Sequence, residues 1–242
     1  MTESLILTDE PTGTKLAEKI AYQLEQEIVA SGFPVGKVLG SETALIARLG
    51  ISRAVFREAI RVLEHHGVAT MRRGPGGGLV VTAPETHSAV RATALMLEYM
   101  KASPQHVFEA RSALELKCVE LATEKIDESG IVRLRETLAQ EQEKQHEGDV
   151  GTHGLHTALA EMTGNPALAL FVEVLTNLSR TGNKREHTPQ AAADVRVAHQ
   201  KIADAVIAGD AAVARHRMQV HLAAVGKWLT ASPRTRKNSG DE

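Results

Sequence analysis

A single cysteine, Cys118, in 242 residues leaves no partner for an internal disulfide and no CxxC pair for a structural zinc site. Aromatic residues are scarce too, with one Trp, two Tyr and four Phe. Set against abundant alanine and leucine, that scarcity favours helices over strands. No apolar run nears the roughly 20 residues that cross a bilayer. The opening MTESLILTDEPTGTK lacks a basic start followed by an apolar stretch, so no secretory signal is expected. Charge of one sign is not in excess either: 28 Lys and Arg meet 30 Asp and Glu, for a net charge of −2. These absences exclude a secreted disulfide scaffold, a membrane span, a collagen-like chain and a uniformly basic nucleic-acid coat. With 43% hydrophobic residues the chain can still bury a core. A cytoplasmic globular protein of one or two domains is expected.

What positive charge there is sits in one place. Between Arg48 and Arg73 there are six arginines (Arg48, Arg53, Arg57, Arg61, Arg72 and Arg73) against two acids, Glu58 and Glu64. A compact basic face in an acidic protein is the usual electrostatic footprint of a DNA-binding module. A solvated face of an unrelated helix is the bland alternative, and the local structure decides between them.

Leu16, Ile20, Leu24 and Ile28 recur every four residues and predict a helix over Lys15–Ala30. Ser31-Gly32 stops it, and Phe33-Pro34-Val35-Gly36 reads as a turn. Ser41 caps a short second helix that ends at Gly50, and Ser52 caps a third running from Arg53 to His66, ended by Gly67. The period then changes. Val68 to Arg73 alternates, RGPGGG follows, and Leu79 to Thr82 is again β-prone, which reads as a small hairpin.

That order is the plan of a winged helix-turn-helix. At about 100° per residue counted from Arg53, Val55, Phe56, Ala59, Val62 and Leu63 fall between roughly 180° and 300°. Arg53, Arg57, Arg61 and Glu64 fall on the opposite side. An α-helix fits the major groove, and arginine can donate two bonds to guanine or hold a phosphate. Arg53 and Arg57, nearest the helix start, are the base-contact candidates; Arg61 suits a phosphate or an ion pair with Glu58 or Glu64. Ser52 can cap the helix and also donate to a phosphate. Alone, RGPGGG is as well read as a flexible loop; after an arginine-faced helix it reads as a wing whose Arg72, Arg73 and Gly74 approach DNA.

The stretch GISRAVFREAIRVLEHHGVATMRRGPGGGLVV closely resembles the recognition helix and wing of the GntR family of bacterial transcription regulators. The family pattern SR..VREAL..L...G.V..R.G.G..V is matched nearly throughout from Ser52 to Val81. The resemblance implies operator contacts by Arg53, Arg57, Arg73 and Gly74. Where the family usually reads LPSER.LA at the second helix, this chain has Gly40 for the proline and Thr43 for the arginine. One contact per half-site is therefore expected to be missing or replaced.

After about His87 everything reads as helix, broken at Ser129-Gly130, Gly148, Gly164-Asn165-Pro166, Thr188-Pro189 and Gly209-Asp210, giving six or seven helices. His156, His199 and His221 each lie on an inward-looking face of a different helix. Bundles build metal sites in this way, although a lone inward histidine is more often a core residue. GLHTALAEMTGNPAL and AHQKIADAVIAGDAAVARHRMQVHL, with FEARSALE at 108–115, resemble the FCD effector domain of the FadR subgroup. That resemblance implies an antiparallel all-helical bundle with His156, His199 and His221 as metal ligands. It makes Arg111 a clamp for an effector carboxylate, while Glu115 can instead pair within the bundle. Metal-binding members usually carry aspartate four residues before the first histidine, where this chain has Thr152. Three outcomes stay open: a three-histidine site completed by water or effector, a fourth ligand from His153 or Asp149, or no metal. An N-rich site suits Zn or Ni over Mg.

The expected class is thus mainly α. A winged helix-turn-helix with a small β-hairpin occupies 14–82, a linker 83–90 and an FCD-like bundle 91–230, with flexible tails at 1–13 and 231–242. The expected function is a homodimeric regulator, by default a repressor, that binds a near-palindromic operator and responds to a small carboxylate rather than a long-chain acyl-CoA. A metal-dependent hydrolase is the alternative from another class, disfavoured because HExxH and HxxEH are absent. A helical module that uses its winged part for protein contacts is a third, disfavoured by the arginine face.

Overall fold

The computed structural model of the protein describes residues 16–144, 154–181 and 188–230. The chain divides between Ser88 and Ala89 into two compact units.

The first unit runs α1 (Leu16–Ala30), β1 (Val38–Gly40), α2 (Glu42–Leu49), α3 (Arg53–His66), β2 (Ala69–Arg72) and β3 (Gly78–Val81). Ile20, Leu24 and Ile28 of α1 meet Leu45, Phe56, Leu63 and Leu79 in one buried cluster. The turn between α2 and α3 depends on Gly50, whose φ of 65° lies in the left-handed region and whose N–H bonds the Ile46 carbonyl. Ser52 then caps α3 by accepting the Val55 N–H at 3.3 Å. The sheet has three antiparallel strands in the order β1-β3-β2, not the two of the expected hairpin. β1 is only three residues long, too short for any alternation to register in the sequence, and it pairs with the free edge of β3. It also explains one wing glycine. A side chain at Gly78 would stand 2.3 Å from the Gly40 carbonyl oxygen, so the strands approach only without one.

The second unit is all-helical among the described residues. It comprises α4 (Thr86–Tyr99), α5 (Pro104–Glu124), α6 (Glu128–Lys144), α7 (Gly154–Met162), α8 (Pro166–Thr181), α9 (Pro189–Ile207) and α10 (Ala211–Thr230). α4 starts inside the stretch expected as linker. Pro84 disfavours helix just before it, but no breaker follows until Ser103-Pro104, so only residues 82–85 join β3 to α4. The 21-residue α5 is the central post, in contact with α7, α8, α9 and α10. Val119, Leu134, Leu155, Leu159, Ile202 and Met218 form the core around it.

Loss of the α3 cap gives a first test. Ser52→Ala leaves the Val55 N–H without its acceptor and is expected to cost about 1 kcal/mol, read by urea unfolding of the full chain. An unchanged midpoint would show that water serves that donor as well.

Candidate functional site

Two clusters of functional groups stand out, one in each unit. In the first, Arg53, Arg57 and Arg61 project from α3 with about two thirds or more of each side chain exposed. Arg61 pairs with Glu58 at 3.1 Å, while Glu64 instead accepts from the Thr70 hydroxyl and the Met71 N–H. Arg48 turns away to Glu27 on α1 at 2.9 Å and leaves the basic face. Arg72 and Arg73 are exposed at the wing, with Arg72 reaching the Gly76 carbonyl at 3.4 Å. Gly74, also exposed, has φ 96°.

Sequence reasoning missed Glu42. Its Oε1 lies 3.2 Å from Arg53 Nε and 3.6 Å from Arg57 Nε, so one carboxylate on α2 gathers the two leading arginines of α3. That oxygen is fully covered and makes no well-aligned hydrogen bond, so its contact with both guanidinium groups is electrostatic. Thr43, beside it in the position where the resemblance expects arginine, leaves Arg53 and Arg57 as the leading cations of this face.

In the second unit, α7 supplies His156, α9 His199 and α10 His221, all buried. Their ligand nitrogens lie within 4.8 Å of one another. His221 Nε2 is 3.3 Å from both His199 Nε2 and His156 Nε2. Nitrogens at about 2.0–2.1 Å from one tetrahedral cation stand roughly 3.3–3.4 Å apart, so the two spacings at His221 suit a shared ion.

Two buried carboxylates back this cluster. Glu141 on α6 meets His199 Nδ1 at 2.8 Å through one oxygen and accepts the Leu155 N–H at 3.1 Å through the other. Glu115 on α5 lies 2.8 Å from His156 Nδ1, at an angle too poor for a good hydrogen bond, and takes Arg111 Nε at 2.5 Å. A carboxylate on Nδ1 favours the tautomer with its proton there, which leaves the Nε2 lone pair facing inward. His156 and His199 then aim lone pairs at the same point. His221 can donate to one of them, and the other stays unsatisfied without a cation. Burial also pushes His221 down to about 2, with His156 and His199 adding to the shift. Burial lowers His156 as well, with Glu115 pulling partly back. Neutral imidazole is the form that binds metal. Burial raises Glu115, but its contacts with His156 Nδ1 and the Arg111 guanidinium outweigh it and hold the carboxyl at about 2. The donor set therefore fits a divalent ion.

Arg111 is buried, one edge held by Glu115. Asp149, His153 and Thr152 lie outside the described residues, so a fourth ligand from that stretch has no geometry here. Glu141 was missed in the sequence, although a signal exists. It continues the buried stripe of Leu134 and Leu138 at helical spacing, and a carboxylate on an apolar face needs a partner. Beside His221, a cleft of about 520 Å3 opens between α9 and α10.

The comparisons agree with both units. The description "Bacterial regulatory proteins, gntR family" matches residues 16–79, and "FCD domain" matches residues 106–224. The uncharacterized HTH-type transcriptional regulator YcbG of Bacillus subtilis (strain 168) is 30% identical over 210 residues, covering 86% of this chain and 87% of that protein. An Escherichia coli (strain K12) regulatory protein whose name assigns it to the L-lactate dehydrogenase operon is 29% identical over 223 residues, covering 87% and 85%. A solved structure described as Streptococcus agalactiae GntR shares the fold with a TM-score of 0.65 at 24% identity, covering 88% of this chain and 99% of that one. These relatives are regulators, and the hydrolase alternative falls with them. With a capped, arginine-faced helix ahead of an all-helical FCD domain, the chain belongs to the GntR family and is a DNA-binding transcription regulator.

Proposed function

We propose that the chain is a homodimeric repressor of the FadR subgroup, acting in the cytoplasm. Its operator binding is modulated by a small organic acid at the three-histidine centre. The observation that carries the effector reading is the convergence of three imidazole Nε2 atoms, two with carboxylates behind them. Residues up to Val81 serve as the DNA-binding module, 82–85 as its connection, and the helices from α4 to residue 230 as the effector and dimerisation domain.

On DNA, two copies present their α3 helices to the halves of a near-palindromic operator, since two-fold protein symmetry is mirrored in the site. Arg53 and Arg57 contact base edges. Ser52, Arg61, Arg72 and Arg73 hold phosphates, and Gly74 lets the wing backbone come close.

In the bundle, His156, His199 and His221 would hold Zn or Ni, as three nitrogen donors suit these ions over Mg. A bound divalent ion supplies open coordination positions for a ligand carboxylate. Glu115 and Glu141 keep the imidazoles oriented, and Arg111 presents the guanidinium edge that Glu115 leaves free to the second end of the effector. The name of the Escherichia coli relative, tied to an operon for oxidising a small hydroxy acid, supports an effector of that size. Effector binding shifts the protein between DNA-competent and DNA-incompetent states through its unequal affinity for the two.

The test is selection of genomic fragments on the purified protein, followed by a screen of small mono- and dicarboxylates for release, with and without added Zn. The expected result is a specific fragment released at least tenfold by a carboxylate only when metal is present. Release without metal would leave the acid and remove the ion. No specific fragment would overturn the operator reading.

A further inference from the structure

The two carboxylates behind the histidine cluster are not used alike. Glu141 on α6 is anchored by a neutral donor, the Leu155 N–H at 3.1 Å, and its other oxygen makes a well-directed hydrogen bond with His199 Nδ1 at 2.8 Å. Glu115 on α5 is anchored by a cation instead. Its Oε1 accepts from Arg111 Nε at 2.5 Å, one turn back on the same helix. Its Oε2 stands the same 2.8 Å from His156 Nδ1, yet that oxygen and that nitrogen are both buried without a well-directed partner. The distance is right and the direction is wrong.

Competition for one carboxyl group accounts for the difference. A guanidinium–carboxylate bond has both partners charged, so it prevails over a neutral imidazole N–H. Arg111, Glu115 and His156 are all buried, where the low dielectric strengthens that preference. The last torsion of a glutamate is broad, so the carboxyl turns at little cost toward whichever donor holds it harder. With the separation already correct, a rotation is all that a good bond to His156 needs.

That rotation matters to a metal. An acceptor lined up on Nδ1–H makes the imidazole a stronger donor at Nε2, and such partners behind a ligating histidine are worth about 10–100-fold in affinity. His199 has this support from Glu141. His156 lacks it for as long as Arg111 holds Glu115.

We propose that Glu115 is a positioning residue that links the two ligands: a carboxylate bound at Arg111 draws the guanidinium off Glu115, Glu115 turns onto His156 Nδ1, and the metal is held more tightly. This rests on the metal-and-acid reading above and supplies the connection between the two. By linkage, the metal raises affinity for the acid by the same factor. The acid need not touch the ion for the effect to operate, since Glu115 carries it.

Zn affinity of the full chain tests this, measured by competition with a chromophoric chelator in saturating acetate and in chloride at equal ionic strength. Circular dichroism confirms folding. Acetate is expected to tighten Zn binding about tenfold in the starting protein. Glu115→Gln keeps the volume and loses the charge, so it should bind Zn more weakly and respond to acetate less than about twofold. Arg111→Gln frees Glu115, so it should bind Zn about tenfold more tightly without acetate and gain nothing from it. An arginine with a merely structural role would give a loss there. Glu141→Gln should weaken Zn binding yet keep the whole acetate response.

A full acetate response in Glu115→Gln would assign the coupling to direct ligation of the ion and overturn the proposal. Weakened Zn binding in folded Arg111→Gln would overturn it as well, and this variant decides the matter if Glu115→Gln does not fold. Zn binding that acetate leaves unchanged in the starting protein would remove the link while the metal centre stands. No Zn binding in any protein would remove the metal reading and the link together.

Discussion

His199→Ala is expected to abolish metal binding and to destabilise the helical domain even without metal. The side chain is fully buried, with Nδ1 on Glu141 and Nε2 facing the other imidazoles. Removing it deletes one of three donors and strands the Glu141 oxygen that faced it. Leaving a buried acceptor without its hydrogen-bond donor costs about 1–3 kcal/mol, and more where the acceptor is charged. Two effects are mixed in this variant, so Glu141→Gln separates them. It keeps the volume and the contact with His199 while removing the charge behind the imidazole, and outer-shell changes of this kind cost about 10–100-fold in metal affinity. Unmutated protein at a free Zn concentration 100 times its dissociation constant should gain about 2.7 kcal/mol. For a chain of this size that is roughly 5–10 °C in Tm. His199→Ala should gain nothing, and Glu141→Gln a reduced amount. Elemental analysis should find about one metal per chain in the first protein and none in His199→Ala. If Zn fails to raise the Tm of the unmutated protein and none co-purifies, the histidines form a metal-free polar cluster.

Much of this fold could be read from the residues because local rules acted unopposed. Ser52 and Gly67 bound α3 in the sequence and in the structure alike, since a cap and a left-handed stop act within a few residues of where they sit. β1 escaped, because three residues gain their strand geometry only from the edge of β3. The boundaries of α4 were blurred for a related reason, as a helix with no buried face has little apolar periodicity to announce it. For the histidines, helical phase shows only that each points inward. Their meeting at one place depends on how α7, α9 and α10 cross, which only the resemblance supplied. Glu42 was hidden for the same reason, its partners lying 11 and 15 positions away on another helix. Glu141 was visible in principle, as a charge on the stripe of Leu134 and Leu138.

Arg53→Ala and Arg57→Ala are each expected to weaken specific operator binding by about 1–3 kcal/mol, the discrimination carried by one good bidentate base contact. The ranking against Arg61→Ala follows from the exposed face of α3. Arg61 lies about one turn beyond Arg57 and already pairs with Glu58, so its loss should act on all sequences alike and lower the salt slope by about one unit per lost phosphate contact. The informative variant is Glu42→Ala. In the free protein this carboxylate sits between the two leading guanidinium groups, holding them together and competing with DNA for them. Without it the arginines bind any polyanion more readily, so non-specific affinity rises a few-fold. They also lose their shared anchor, so entropy must be spent to align them on base edges and specific affinity gains nothing. The ratio of specific to non-specific binding should fall, measured by fluorescence anisotropy with operator and scrambled duplexes across a salt series. If Glu42→Ala raises both affinities equally, Glu42 acts only as a competing charge. If specific binding collapses while non-specific binding holds, positioning of Arg53 and Arg57 is its main contribution, and the groove reads the two arginines as one preset unit.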